Sequence, residues 1–300
     1  MKTKKIYLLM IALVAVTVFG AGCHNKDEMF YVTVTTNIAE PVTNKSFVSS
    51  FSSSTIGVYA INYYNVVLSS STAIVSTGDN AVSPFPNIKV SVESTVYAWY
   101  PATAEELSYP DDCSTKAIKV VSTDDFAATS QTDYLWATPA NVNKNNKTAD
   151  LNFNHALSKV IFNIKKDETY IGECKLTEIS FTSTGTPFLS GSGTMAIANG
   201  TISGLTSNNT LTYTGSSTIN TTAATEMVAL VAPTNLDGTI TIKLTIDKTL
   251  YSTTLPVSSV SAWVGANEYT YYITVNNEEI IIDNVNITDW TTITEIDISI

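Results

Sequence analysis

Side chains able to do covalent or acid–base chemistry are few in this chain. Its 300 residues include two histidines, His24 and His155, and three cysteines, Cys23, Cys113 and Cys174. General-base or nucleophilic catalysis needs an imidazole or carboxylate set beside an activated nucleophile. His24 adjoins Cys23, and His155 lies in an alternating apolar run, the setting of a hydrogen-bonded structural histidine. The sequence contains no G-x-S-x-G elbow, Walker loop or H-E-x-x-H pair. Neither H-x-x-x-H nor C-x-x-C spacing occurs, so zinc has no support. Gly191-Ser192-Gly193 lacks the strand-loop-helix context of a nucleotide site and reads as a bend. The carboxylate pairs Asp111-Asp112 and Asp124-Asp125 could serve a glycosidase or calcium, but adjacent strand or loop carboxylates ordinarily face water. The expectation is a protein without catalytic residues, metal or cofactor.

One thiol is marked out by its position. Lys2, Lys4 and Lys5 form a basic start, Ile6 to Phe19 are apolar apart from Thr17, and Gly20-Ala21-Gly22-Cys23 closes the stretch. This is the layout of a secretory signal rather than a membrane span. Cleavage before Cys23 with lipid placed on its thiol resembles the lipobox of bacterial lipoproteins, although Gly20 stands where that motif usually has Leu. Acyl chains contribute ~0.8 kcal/mol per buried CH2, so a multiply acylated Cys23 would anchor the protein durably. Lys26-Asp27-Glu28 just behind it resembles a surface-export signal of Bacteroidetes lipoproteins, and also reads as a plain solvated tether. The expected address is the outer membrane, facing outward.

Composition narrows the partners. Loss of residues 1–22 removes three lysines and no acids, leaving 13 lysines against 27 acids, a net charge of −14. Arginine is absent from the whole chain. An acidic surface without a guanidinium fork argues against nucleic acid, where phosphate neutralisation carries the affinity, and equally against anionic headgroups. Charged residues are 14% of the chain, so solubility rests on abundant Ser, Thr and Asn. Cys113, in Pro110-Asp111-Asp112-Cys113, and Cys174, in Gly172-Glu173-Cys174, could form one disulfide or remain two free thiols.

Period-two alternation dominates the pattern. Ile240, Ile242, Leu244 and Ile246 alternate with polar residues, as a strand with one buried face does. Val32, Val34 and Ile38 alternate near the mature start; Leu151, Phe153 and His155, then Val160, Phe162 and Ile164, alternate in the middle; Tyr269, Tyr271, Ile273 and Val275 alternate late. Asp237-Gly238, between the Met227–Val231 run and the strand from Thr239, reads as a hairpin loop. Thr103–Leu107 is the best short helix candidate. Many short strands between Gly, Pro, Asn and Ser clusters predict an all-β protein of sandwich type. The polar stretch Asn141–Lys147 divides it into an N-terminal β-sandwich with tether over 23–147 and a C-terminal β-sandwich over 148–300.

Six segments in order resemble the fimbrillin family, the type V pilins of Bacteroidales. They are Thr55-Ile56-Gly57-Val58-Tyr59-Ala60; Tyr97-Ala98-Trp99-Tyr100-Pro101, similar to a "YAYYP" strand; Asp133-Tyr134-Leu135-Trp136-Ala137, similar to a "D-L-A" element; Phe153-Asn154-His155-Ala156-Leu157-Ser158-Lys159; Trp263-Val264-Gly265-Ala266-Asn267-Glu268-Tyr269-Thr270-Tyr271; and Ile287-Thr288-Asp289-Trp290. The resemblance implies two tandem transthyretin-like β-sandwich domains in a fimbrial subunit that adheres and assembles by strand exchange. In such a subunit a protease removes the first strand, here Val32, Val34 and Ile38, and a neighbour's terminal strand replaces it. The tail offers Ile293, Ile296, Ile298 and Ile300 as that donor.

The departure is that the best-known fimbrillins are cut after arginine, so Lys45, the only basic residue between the first strand and Thr55, becomes the candidate processing site. The implied partners are other fimbrial subunits, the outer membrane through Cys23, and host or bacterial surface ligands. The alternative is a glycan-binding surface lipoprotein that does not polymerise, with Trp99, Trp136, Trp263, Trp290 and the tyrosines as sugar platforms; the ordinary role of such residues is core packing.

Overall fold

A computed structural model describes residues 29–38, 55–62, 67–74, 88–102, 114–128, 130–183, 189–206, 210–236, 240–255 and 260–290. These residues are all-β, with no helix among them. The helix candidate Thr103–Leu107 lies outside the described residues. In chain order the strands are β1 (Phe30–Tyr31), β2 (Thr33–Ile38), β3 (Thr55–Asn62), β4 (Val67–Ile74), β5 (Lys89–Val90), β6 (Ser94–Tyr100), β7 (Thr115–Val120), β8 (Thr123–Asp125), β9 (Leu135–Ala137), β10 (Ala140–Val142) and β11 (Thr148–His155). Then come β12 (Ser158–Lys166), β13 (Lys175–Ser183), β14 (Gly191–Ala196), β15 (Ile202–Ser203), β16 (Thr210–Thr218), β17 (Thr225–Val231), β18 (Thr234–Asn235), β19 (Ile240–Ile246), β20 (Thr249–Thr254), β21 (Ala262–Trp263), β22 (Asn267–Val275) and β23 (Ile280–Asp289).

A seven-stranded sheet runs β2-β11-β9-β6-β3-β4, with β10 also on β6. Its middle strands β3 and β6 are apolar on both faces, whereas β11 turns Thr148, Asp150 and Asn152 to solvent. In β3, Ile56, Val58 and Ala60 point into one core while Tyr59 points into another. That is the pattern of a sheet covered on both sides. A second sandwich packs the sheet β17-β12-β22-β23 against the sheet β20-β19-β13-β16-β8. Here alternation works as the sequence foretells: Val160, Phe162 and Ile164, Tyr269, Tyr271, Ile273 and Val275, and Ile240, Ile242, Leu244 and Ile246 share one buried core.

Two boundaries differ from the sequence expectation. Asn141–Lys147 stays inside the first sheet and is not a passage between units: Asn141 and Val142 finish β10, and in the turn that follows Asn143 Oδ1 accepts the backbone N–H groups of Asn145 and Asn146 at 2.9 Å each. The strand beyond it, β11, pairs with β2 and β9, so the first sheet ends at His155. Conversely, β7 and β8, which precede that turn, pair with β14 and β16 from the later half. The stretch is polar because an exposed turn must be, and composition cannot tell a turn from a linker. Similarly, Asp237-Gly238 lies outside the described residues, but β17 and β19 on either side belong to different sheets. Two strands facing each other across a core alternate just as two paired strands do.

A hairpin that the sequence does not announce joins β19 to β20. Asp247 (φ 49°) and Lys248 (φ 68°) are both left-handed, as a two-residue type I′ turn requires. The Asp247 carboxylate accepts the backbone N–H of Cys174 and of Lys175, both at 2.9 Å, and the Tyr170 hydroxyl at 3.1 Å. Gly172 is glycine of necessity: its φ is +133°, and a Cβ would meet Asp247 Oδ2 at 2.8 Å. Cys174 is unbridged and fully buried, and burial pushes its thiol up to about 11; Cys113 lies outside the described residues.

Chief among the causes, the Lys175 backbone bond holds the Asp247 carboxyl below its ordinary value. A lowered folded-state pKa stabilises the fold above the unfolded value and is lost as pH falls through the folded one. Asp247→Ala should therefore cost about 1–2 kcal/mol at neutral pH, a modest figure because the carboxylate is exposed. In urea denaturation the gap between native and variant should close as pH drops below the ordinary carboxylate range.

Candidate functional site

The first strand occupies the end of the seven-stranded sheet. Phe30, Val32 and Val34 follow the period-two rule and are buried in the first core with Val90, Ala149, Leu151 and Phe153. The strand changes partners along its length. Phe30 and Tyr31 pair antiparallel with Val90 and Lys89, and the Val32 N–H donates to Ile88 O at 3.0 Å. From Thr33 the chain switches to β11 and runs parallel to it, with register partners Thr33 and Thr148 at one end and Ile38 and Phe153 at the other.

Every other described pairing in that sheet is antiparallel. Parallel pairing is slightly weaker per residue, and a terminal strand is laddered on one side alone. β2 is thus an edge strand whose removal breaks one ladder and leaves the rest intact, as β4 is at the opposite edge, but β2 is the one joined by a parallel ladder. Its departure would bare the edge of β11 and the apolar slot that Val32 and Val34 fill. Cys23, Lys45, Ile293, Ile296, Ile298 and Ile300 lie outside the described residues.

At its other end β11 delivers His155 to a junction between the two sandwiches. His155 is 1% exposed; its Nδ1 lies 3.0 Å from Asp133 Oδ1, and its ring stacks on Trp290 with centroids 3.7 Å apart and planes 6° off parallel. Its Nε2 is buried, with no hydrogen-bond partner among the described residues. A substrate cannot reach either nitrogen, so this imidazole packs rather than reacts. Lys159 Nζ sits 2.8 Å from Glu268 and 5.8 Å from the Trp290 ring.

Backbone bonds tie the same spot together. Ala156 N–H donates to Tyr134 O (2.8 Å), Ala266 N–H to Leu157 O (3.0 Å) and Trp290 N–H to Ala266 O (2.7 Å). Gly265 permits this approach, since a Cβ there would lie 2.8 Å from Ala156 O. Around it, Tyr59, Trp99, Ile118, Val120, Ile161, Met195, Val228, Leu230 and Trp290 form a third core, drawn from both sandwiches and from β7 and β14.

All six sequence segments that carry the resemblance reach this place: Asp133–Ala137, Phe153–Lys159, Trp263–Tyr271 and Ile287–Trp290 through the bonds and stacking just described, and Thr55–Ala60 and Tyr97–Pro101 through Tyr59 and Trp99 in the third core. Their convergence is the feature that sequence reading missed, because His155, Lys159 and Trp290 each read singly as strand residues. The signal was available in the placement of motif residues on separate strands with no catalytic chemistry to explain them. The four tryptophans are engaged in packing, Trp99, Trp263 and Trp290 buried and Trp136 against the third core, while Tyr31 and Tyr272 are exposed. The Trp263 indole donates to the Tyr271 hydroxyl at 3.0 Å.

The family model described as fimbrillin-like matches residues 24–290. No curated protein matches the chain in sequence. Among solved structures, a candidate cell adhesion protein of Bacteroides uniformis superposes with TM-score 0.62 at 16% identity, covering 88% of this chain and 99% of its own. A second, from Bacteroides ovatus, gives 0.60 at 17% identity over 89% and 100% of the two chains. A fimbrial protein of Bacteroides vulgatus gives 0.54 at 13% identity over 86% and 99%.

Truncating the first strand should loosen it selectively. Val32→Ala and Val34→Ala should each cost roughly 1–3 kcal/mol. Amide hydrogen exchange should then quicken along Thr33–Ile38 and along the β11 edge that faces it, while the β12–β22 ladder keeps native protection.

Proposed function

Since the chain belongs to the fimbrillin-like family, we propose that it is a structural subunit of a cell-surface fimbria, built as two tandem transthyretin-like β-sandwich domains and assembled by strand exchange. The observation that carries this reading is the seat of the first strand: a parallel edge strand, laddered on one side, whose valines plug a hydrophobic slot. The outgoing strand offers Val32, Val34 and Ile38. The incoming one offers Ile293, Ile296, Ile298 and Ile300 from a neighbouring subunit, and each isoleucine carries one more CH2 than valine, worth about 0.8 kcal/mol if buried.

Tethering decides which strand holds the slot. A strand attached to its own domain competes at an effective concentration in the millimolar range, which an incoming strand of similar quality cannot match until the tether is cut. Cleavage after Lys45 is the switch in this scheme. Afterwards the bared edge of β11 takes a new strand by β-augmentation, its N–H and C=O groups satisfied by backbone and its slot by alternate side chains. Lipidated Cys23 holds the precursor on the outer membrane, and the assembled fibre serves adhesion, a role that the descriptions of the structural neighbours support. The work of such a subunit is backbone pairing, not catalysis. Burial of Trp99, Trp263 and Trp290 removes three of the four tryptophans that a glycan-binding reading would use.

Two measurements test this. Deleting Thr291–Ile300 should leave a folded monomer, with native circular dichroism and thermal midpoint, that forms no high-mass ladder on incompletely denaturing gels; an unfolded deletion product would count against the donor role. N-terminal sequencing of assembled material should begin at Ser46, and a start at Cys23 would reject the cleavage step.

A further inference from the structure

The geometry points to a second role for the junction around His155: we propose that the stack of Asp133, His155, Trp290 and Lys159 is a mechanical clamp, carrying tension from the first-strand site to the segment after Trp290 while the second sandwich stays out of the load. The inference rests on the reading that neighbours pull at those two places.

The topology supplies the argument. β2 runs parallel to β11. A pull on the N-terminal side of β2, resisted at the C-terminal end of β11, therefore slides the two strands along each other, and all six register pairs from Thr33 and Thr148 to Ile38 and Phe153 bear load together. A strand that takes the place of β2 in the same direction is loaded in the same way, because its parent subunit lies at its N-terminal end. The load then arrives at His155, the last residue of β11.

From His155 two routes lead to the exit after Trp290. One passes through the second sandwich. The chain enters it at Ser158, and the starts of β12 and β22 and the end of β23 lie at one end of the sheet: Lys159 is the register partner of Glu268, and Asn267 of Asp289. Entry and exit at the same end make the weak geometry, in which β23 peels from β22 one pair at a time from Asp289. The other route is direct. Trp290 stacks on His155 at 3.7 Å, His155 is held by Asp133 from the segment that leads into β9, and the Trp290 N–H is bonded to Ala266, itself bonded to Leu157. The stack is buried, so water does not compete for it. It sits where peeling would start and shields the first pair.

The test is single-molecule force spectroscopy on the mature full-length monomer with handles at its two ends. In the native chain the first event should be release of the first strand, with β23 still seated. In Trp290→Ala, and independently in His155→Ala, that order should be lost: β23 should come away first, an increment of about 35 Å for its ten residues. Leu244→Ala, which weakens the second core away from the junction, should keep the native order. Native chains that shed β23 before the first strand would overturn the clamp. So would clamp variants with native order, or a Leu244→Ala chain that behaves like them. Because monomers are pulled, a failure to form filaments bears on strand exchange alone.

Discussion

The backbone ladder between β2 and β11 is the contact from which the organisation of this protein follows. β11 accepts the N-terminal strand along one edge, pairs with β9 along the other, and ends at the histidine that joins the two sandwiches. A strand in that position couples what happens at the sheet edge to what happens at the junction, because it cannot shift without moving both. The edge itself is parallel, laddered on one side, and closed by two valines and a phenylalanine rather than by a continuous apolar run.

The two sandwiches are not beads on a string. β7 and β8, early in the chain, are paired with β14 and β16 of the later half, and a third core is shared between the outer face of the first sheet and that of the β17-β12-β22-β23 sheet. Apolar residues on both faces of these central sheets follow from this arrangement: Ile161, Val228 and Leu230 point away from the second core because they fill the shared one. An interlocked pair of this kind fixes the angle between its two parts, as a flexible linker would not.

Much of this was legible in residues. Strands with one buried face, such as Ile240–Ile246 and Asn267–Val275, declare themselves by strict alternation, and His155 reads as structural. The boundary between the units was not legible. Polar Asn141–Lys147 resembles a linker because exposed turns and linkers are selected by the same need for solvated backbone. The Asp247–Lys248 turn lacks the glycine that usually marks type I′, since its left-handed carboxylate is tied to Cys174, Lys175 and Tyr170 instead. The shared core was invisible for a deeper reason: it assembles single residues from strands far apart in sequence, and alternation reports only that a face is buried, never against what.

The central claim, that β2 must leave β11 for subunits to join, is tested most directly by locking them together. Thr33 and Thr148 are register partners, so a Thr33→Cys, Thr148→Cys pair puts one cysteine on each of the two paired strands, opposite the other. The account predicts that the oxidised protein stays monomeric under conditions in which the reduced protein assembles, and that reductant restores assembly. Polymers forming at the native rate from fully oxidised protein would contradict it.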